Sequence, residues 1–264
     1  MTAGHSVAER TPLQCRRSTT HMSALQWHTP NTPLRASVLC GSAVGLVVVI
    51  GLAWAARPWL QLDALYPGKA AAVFATTMVI AFGFVGEHHP YPRFGPANHV
   101  TMIRAMLVAL IASLIGEPEI PYVAAAAAAA TPFVIVLDGV DGWLARRSRM
   151  VSAFGARFDM ETDAVLVMVM SILVWQHGKA GPWILLGGMM RYAFVSAGWW
   201  LPWMARPLRP TRRARTITIC HMAGLSVALA PIVPAPLSAI AVAATLAALS
   251  WSFAVDVRRL WRME

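Results

Sequence analysis

Six aspartates occur in the 264-residue chain, and four of them, Asp138, Asp141, Asp159 and Asp163, fall within 26 consecutive positions. Asp138, Asp141, Gly142, Ala145 and Arg146 stand at offsets 0, 3, 4, 7 and 8, which places them on one face of an α-helix. Gly155, Asp159 and Asp163 follow at steps of four and share a face of a second helix. The short basic turn Arg147 to Ser152 joins the two, so the four carboxylates are expected to point at one another. Both flanks are apolar, and clustered carboxylates at a bilayer edge repel unless cations neutralise them. Oxygen-only donors suit hard divalent ions such as magnesium or manganese, with calcium sharing the same donor chemistry. Two such ions about 4 Å apart are suited to displacement at phosphorus. The small residues on the same faces leave room for a bulky ligand. The competing reading is plain ion pairing with Arg146, Arg147, Arg149 and Arg157, but four aspartates at helical spacing beside glycine and alanine favour the metal site.

The elements that must hold these residues are membrane helices. The chain is 57% hydrophobic and 13% charged, against about 25% charged in a soluble domain. Apolar runs near the roughly 20 residues that cross a bilayer recur at 37–56, 70–86, 100–116, 121–145, 154–176, 181–204, 216–232 and 236–257. Proline and glycine punctuate most of their boundaries. Eight helical spans are therefore expected. With the N-terminus in the cytoplasm, seventeen of the 22 Lys and Arg residues fall on inside segments and three, Arg57, Lys69 and Lys179, on outside ones. Arg104 and Arg191 lie within spans. This bias predicts cytoplasmic termini and an aspartate cluster at the cytoplasmic rim. The net charge of +10 sits beside apolar runs, as loops facing anionic lipid require, and is not read as nucleic-acid binding. Cys15, Cys40 and Cys220 have no metal-ligand spacing, and no disulfide framework is expected. Residues 1–36 read as a polar, poorly ordered cytoplasmic tail. The seven alanines Ala124 to Ala130 read as a close-packing surface.

Taken together, Asp138, Asp141, Gly142, Ala145, Arg146, Gly155, Asp159 and Asp163 spell D-x2-D-G-x2-A-R-x8-G-x3-D-x3-D. This resembles the signature of the CDP-alcohol phosphatidyltransferase family at every fixed position. Asn98, Thr101 and Arg104 look like that family's N-x-x-T-x-x-R upstream, with one residue inserted in the usual Pro-Asn pair. The resemblance implies a six-helix membrane bundle from residue 98 to 264, with 37–97 forming two additional helices. It also implies a multi-pass protein of the inner, cytoplasmic membrane whose site faces the cytoplasm. By the same resemblance Asp138, Asp141, Asp159 and Asp163 hold two magnesium or manganese ions, and Asp163 doubles as general base. Asn98, Thr101, Asp138, Gly142, Ala145, Arg146 and Gly155 would form the CDP site. The implied reaction moves a phosphatidyl group from CDP-diacylglycerol to an alcohol with release of CMP, in phospholipid biosynthesis. A homodimer is admissible. The family's K-x-K-T-x-x-Q run reads Arg213, Ala214, Arg215, Thr216, Ile217, Thr218, Ile219 here, keeping the basic and Thr positions without the Gln, which weakens assignment to the glycerol-phosphate branch.

Arginines offer acceptor contacts. Arg191, inside the sixth span, must face a polar cavity with a carboxylate or phosphate. Arg213 and Arg215 lie nearest the bundle in the basic loop before the seventh span. These three lean the acceptor toward a phosphorylated polyol, such as glycerol 3-phosphate or an inositol phosphate. His88, His89 and His99 read as a solvated interfacial loop, and His221 as a hydrogen-bonded packing residue. Two rivals remain from other classes: a divalent-cation transporter, which would spread carboxylates through the membrane depth, and a catalytically silent scaffold.

Overall fold

The computed structural model describes residues 32–91, 93–206 and 211–262. Among these are eight α-helices: α1 (Thr32–Leu60), α2 (Tyr66–His88), α3 (Pro96–Ala112), α4 (Pro121–Ser148), α5 (Ala153–Gln176), α6 (Leu185–Trp200), α7 (Arg212–Leu229) and α8 (Ala235–Trp261). Each apolar run read from the sequence has its centre on one of them, with the 100–116, 181–204 and 216–232 runs extending past the helix ends. The polar segment 1–31 is outside the described residues, as are Cys15 and Arg209. Cys40 and Cys220 are free and exposed.

Three helices, Pro33–Leu60, Pro121–Ser148 and Ala235–Trp261, are long and apolar enough to cross a membrane, and Pro96–Ala112 is a shorter apolar helix. Large apolar side chains such as Val47, Phe133, Ile240 and Trp251 are exposed on these helices. Water would penalise such surfaces and lipid would not. The chain is built as an integral membrane protein.

Helix starts follow local chemistry. Pro96 and Pro121 open α3 and α4, where a missing N–H costs nothing. Gly95, at φ 83, makes the turn into α3 that a side chain would strain. α4 runs on through Arg147 and Ser148 and stops at Arg149 in the left-handed conformation (φ 55), so the turn between the aspartate helices is only 149–152. Thr211 caps α7, which begins four residues before the apolar run and carries Arg213 and Arg215 on its first turn instead of in a loop. The 181–204 run is broken by 3-10 turns at Pro182–Ile184 and Pro202–Ala205 on either side of α6.

One end of the bundle is knitted by loop contacts. Glu117, buried after α3, accepts from the Asp63 backbone N–H at 2.7 Å and pairs with Lys69. Gln176 donates to the Glu117 carbonyl at 3.0 Å, and Lys179 reaches the carbonyls of Ala230 and Val233. The buried alanines Ala124, Ala127 and Ala128 bring α4 close to its neighbours, and Ser226 of α7 donates to the Ala128 carbonyl at 2.7 Å. The opposite end holds the 149–152 turn and the aspartates.

Candidate metal centre

Three helices bring the polar residues together. α3 carries Asn98, Thr101 and Arg104 at steps of three, all buried. α4 contributes Asp138 and Asp141, both buried, and α5 contributes Asp159 and Asp163, whose side chains are 35% and 25% exposed. The four aspartates do meet. Asp138, Asp141 and Asp159 each place a carboxylate oxygen within 4.8 Å of the others. Asp163 joins them through Arg104.

Arg104 stands at the middle. Its Nη1 donates to Asp141 Oδ2 at 2.7 Å and to Asp159, while Nη2 bonds Asp163 and lies 3.3 Å from Asp138 Oδ1. The side chain is 1% exposed. Thr101 Oγ1 approaches Asp141 Oδ2 at 3.0 Å, and Arg215 Nη2 donates to Asp138 Oδ2 at 2.8 Å from α7. Four formal negative charges thus face two positive ones in a largely buried setting. Among the described residues the aspartates form ion pairs with Arg104 and Arg215, while Arg147 stacks over Trp143 at 5.3 Å.

This donor set fits a hard divalent ion. All donors are carboxylate oxygens, the excess charge is negative, and their 4.8 Å spread is slightly wider than the about 4.2 Å that separates opposite ligands of magnesium. Asp138, Asp141 and Asp159 are the residues that could hold an ion, and Asp163 adjoins them through Arg104.

The surrounding expectations divide. Gly142 lies under two guanidinium groups, its Cβ position 3.4 Å from Arg146 Nη1 and 3.7 Å from Arg215 Nη2. Gly155 is needed for a different approach: a Cβ there would stand 2.8 Å from Asn98 Oδ1. Ala145 lies one turn further along α4, where its carbonyl accepts from the Met150 N–H as the helix ends. Arg191 faces a carboxylate as expected, but that carboxylate is Glu161 of α5, at 2.5 and 3.2 Å. Arg213 pairs with Asp256 of α8 at 2.6 Å and stacks over Trp251. Of the three acceptor candidates only Arg215 touches the aspartate cluster. His221 is buried and bonded to Thr245 Oγ1 at 3.0 Å, as a packing residue should be.

His89 corrects the reading of a solvated loop: it is 6% exposed and hydrogen-bonded on both nitrogens. His99, half-buried, bonds the Gly95 carbonyl at 2.7 Å, and the side chain of His88 lies outside the described residues. Sequence reasoning also passed over Arg104 as the hub of the cluster. The signal was present, since an arginine within a span needs an anionic partner, an argument applied to Arg191 alone.

A helical membrane bundle with a buried, charge-excess carboxylate centre at one end is the class of protein these features define. The model of the CDP-alcohol phosphatidyltransferase family matches residues 94–255, and the chain belongs to that family. The match spans α3 to nearly the end of α8 and leaves α1 and α2 outside. Searches of curated proteins and of solved structures gave no match. The protein is thus an enzyme of a membrane phospholipid-synthesis family.

Proposed function

We propose that this enzyme transfers the phosphatidyl group of CDP-diacylglycerol to the hydroxyl of an acceptor alcohol, releasing CMP, with two magnesium or manganese ions held by Asp138, Asp141, Asp159 and Asp163. The observation that carries the reading is the convergence of four signature aspartates from α4 and α5 around Arg104. Bound divalent ions would supply charge stabilisation at the reacting phosphates.

The chain's own residues do the rest. Asp163 takes the proton of the acceptor hydroxyl. The acceptor oxygen forms a bond to the β-phosphorus, the bond from that phosphorus to the bridging oxygen breaks, and CMP leaves with the electron pair. Asn98, Thr101, Gly142, Ala145, Arg146 and Gly155 shape the CDP pocket beside Asp138. Arg215, half-exposed at the edge of the cluster, is the best-placed group to hold a phosphorylated acceptor, and the N-terminal turn of α7 adds a favourable dipole there. Arg191 and Arg213, each already paired to a carboxylate, contribute only if that pairing opens. The favoured acceptor is a phosphorylated polyol, such as glycerol 3-phosphate or an inositol phosphate. We read all eight helices as spans and the site as opening to the cytoplasm.

The test incubates purified protein with labelled CDP-diacylglycerol, magnesium or manganese, and a panel of acceptors, scoring CMP and lipid product. CMP release that requires one acceptor, vanishes with chelator and returns with added metal is the expected result. Asp163→Asn should lower the rate about 10²- to 10⁴-fold, the range for loss of a general base. Full activity in that variant would remove Asp163 from its role, and no CMP release with any acceptor would overturn the function.

A further inference from the structure

The family match begins at Phe94, yet the segment just before it reaches into the turn that joins the two aspartate helices. His89 Nε2 lies 2.8 Å from the carbonyl oxygen of Arg93. A carbonyl only accepts, so Nε2 carries a proton, and in the neutral imidazole Nδ1 then accepts. Ser152 Oγ, 3.1 Å from Nδ1, therefore donates to it. With its proton so directed, the hydroxyl turns a lone pair to the Gly155 N–H, 3.0 Å away, and caps the first turn of α5. Phe154 stands edge-on to the imidazole at a centroid distance of 5.8 Å and closes the other side.

Tyr91 holds the same turn from two positions further along. Its hydroxyl lies 3.1 Å from the carbonyl of Arg149, the left-handed residue that ends α4, and 3.2 Å from that of Val151. Beyond Ser152 the chain of contacts continues into the site. Gly155 approaches Asn98 too closely for any side chain, and Asn98 is fixed by its own bond to the Phe94 carbonyl at 2.5 Å.

We propose that His89, assisted by Tyr91, is a positioning residue for the CDP-binding part of the site. It orients Ser152, Ser152 sets the first turn of α5, and that turn sets the Gly155 to Asn98 approach. The segment between α2 and α3, upstream of the matched region, is in this way part of the enzyme's substrate machinery. The inference rests on the phosphatidyl-transfer reading above, in which Gly155 and Asn98 belong to the CDP pocket.

Kinetics of the full-length protein in detergent or nanodiscs, with CDP-diacylglycerol and acceptor varied separately, test it. His89→Ala is expected to raise the KM for CDP-diacylglycerol about five- to thirty-fold, as the loss of one or two buried hydrogen bonds would. The kcat and the acceptor KM should stay within about twofold, since no reacting group is removed. Ser152→Ala should do the same, and the double variant should add little, because both changes cut one chain of contacts. Tyr91→Phe should give a smaller rise in the same parameter. A His89→Ala protein that melts like the parent and keeps the parent's donor KM overturns the proposal, as does a fall in kcat with donor KM unchanged. Should His89→Ala not fold, Ser152→Ala and Tyr91→Phe decide by the same criterion. Absence of CMP release by the parent protein would instead defeat the transfer reading, and this inference with it.

Discussion

Arg104 shows how much one side chain can organise. Its planar guanidinium presents donors in a fixed fork, which is why it can serve Asp141 and Asp159 from one nitrogen and Asp163 and Asp138 from the other. A lysine would supply the charge but not the fork. Removing one partner of a buried ionic group costs about 3–5 kcal/mol, because the uncompensated charges remain in place. Arg104→Gln should therefore lower the melting temperature strongly in chelator, with part of the loss recovered on adding magnesium, and Arg104→Lys should fall between. Thermal unfolding in detergent with and without metal measures this; equal melting temperatures for parent and Gln variant in chelator would show that the aspartates do not need the guanidinium. The aspartates were legible in the sequence because charged residues are scarce in so apolar a chain and helical spacing assigns their faces. That Arg104, within a span, needs an anionic partner was legible too, but not which carboxylates it takes, because its bonds to Asp141 and Asp163 span 37 and 59 residues and no local pattern encodes such pairings.

Among the elements, α5 is the one whose placement governs the site, since it carries Asp159 and Asp163 and packs against α6 through a glycine. A Cβ at Gly188 would lie 2.7 Å from the Met168 Cα, a backbone atom that cannot step aside. Gly188→Val should push α6 from α5, costing about 1–3 kcal/mol as overpacking does, and should reduce both melting temperature and activity. Gly51 of α1, where a Cβ would meet nothing within 4 Å, gives the control: Gly51→Ala should leave both unchanged. Helix existence was readable throughout from apolar run length. Helix ends were less so. The extension of α7 back to Arg212 depends on the Thr211 cap, and the shortening of α6 depends on prolines whose 3-10 turns do not announce themselves in hydropathy. The burial of His89 likewise follows from where α2 delivers it, against the cap of α5, and not from its own polar neighbours in sequence.

Across the whole molecule, the α1–α2 pair is fastened to the rest at both ends. Glu117 holds Asp63 and Lys69 at one end, and His89 and Tyr91 hold the 149–152 turn at the other. The Tyr66 hydroxyl adds a bond to the Leu110 carbonyl at 3.0 Å. The arginines crowd the second end, where Arg146, Arg147, Arg149, Arg258 and Arg259 lie. In the topology proposed above that end is the cytoplasmic one, as the positive-inside tendency favours. Reporter fusions after Glu264 and within the α3–α4 loop should therefore show cytoplasmic and external signals respectively, and the reverse pattern would invert the topology.

The position of Arg104 in the chain has a consequence for how the protein is made. An aspartate within a membrane helix is costly to insert, by up to about 2.5–3.5 kcal/mol at the helix centre on translocon scales and less towards its end. Synthesis runs from the N-terminus, and structure forms in that order. The ribosome delivers Arg104 on α3 before Asp138 and Asp141 on α4, and these before Asp159 and Asp163 on α5. If all eight helices are spans, as proposed above, each acidic helix would reach the bilayer after its counter-charge, and no unpaired acidic helix would have to persist in lipid.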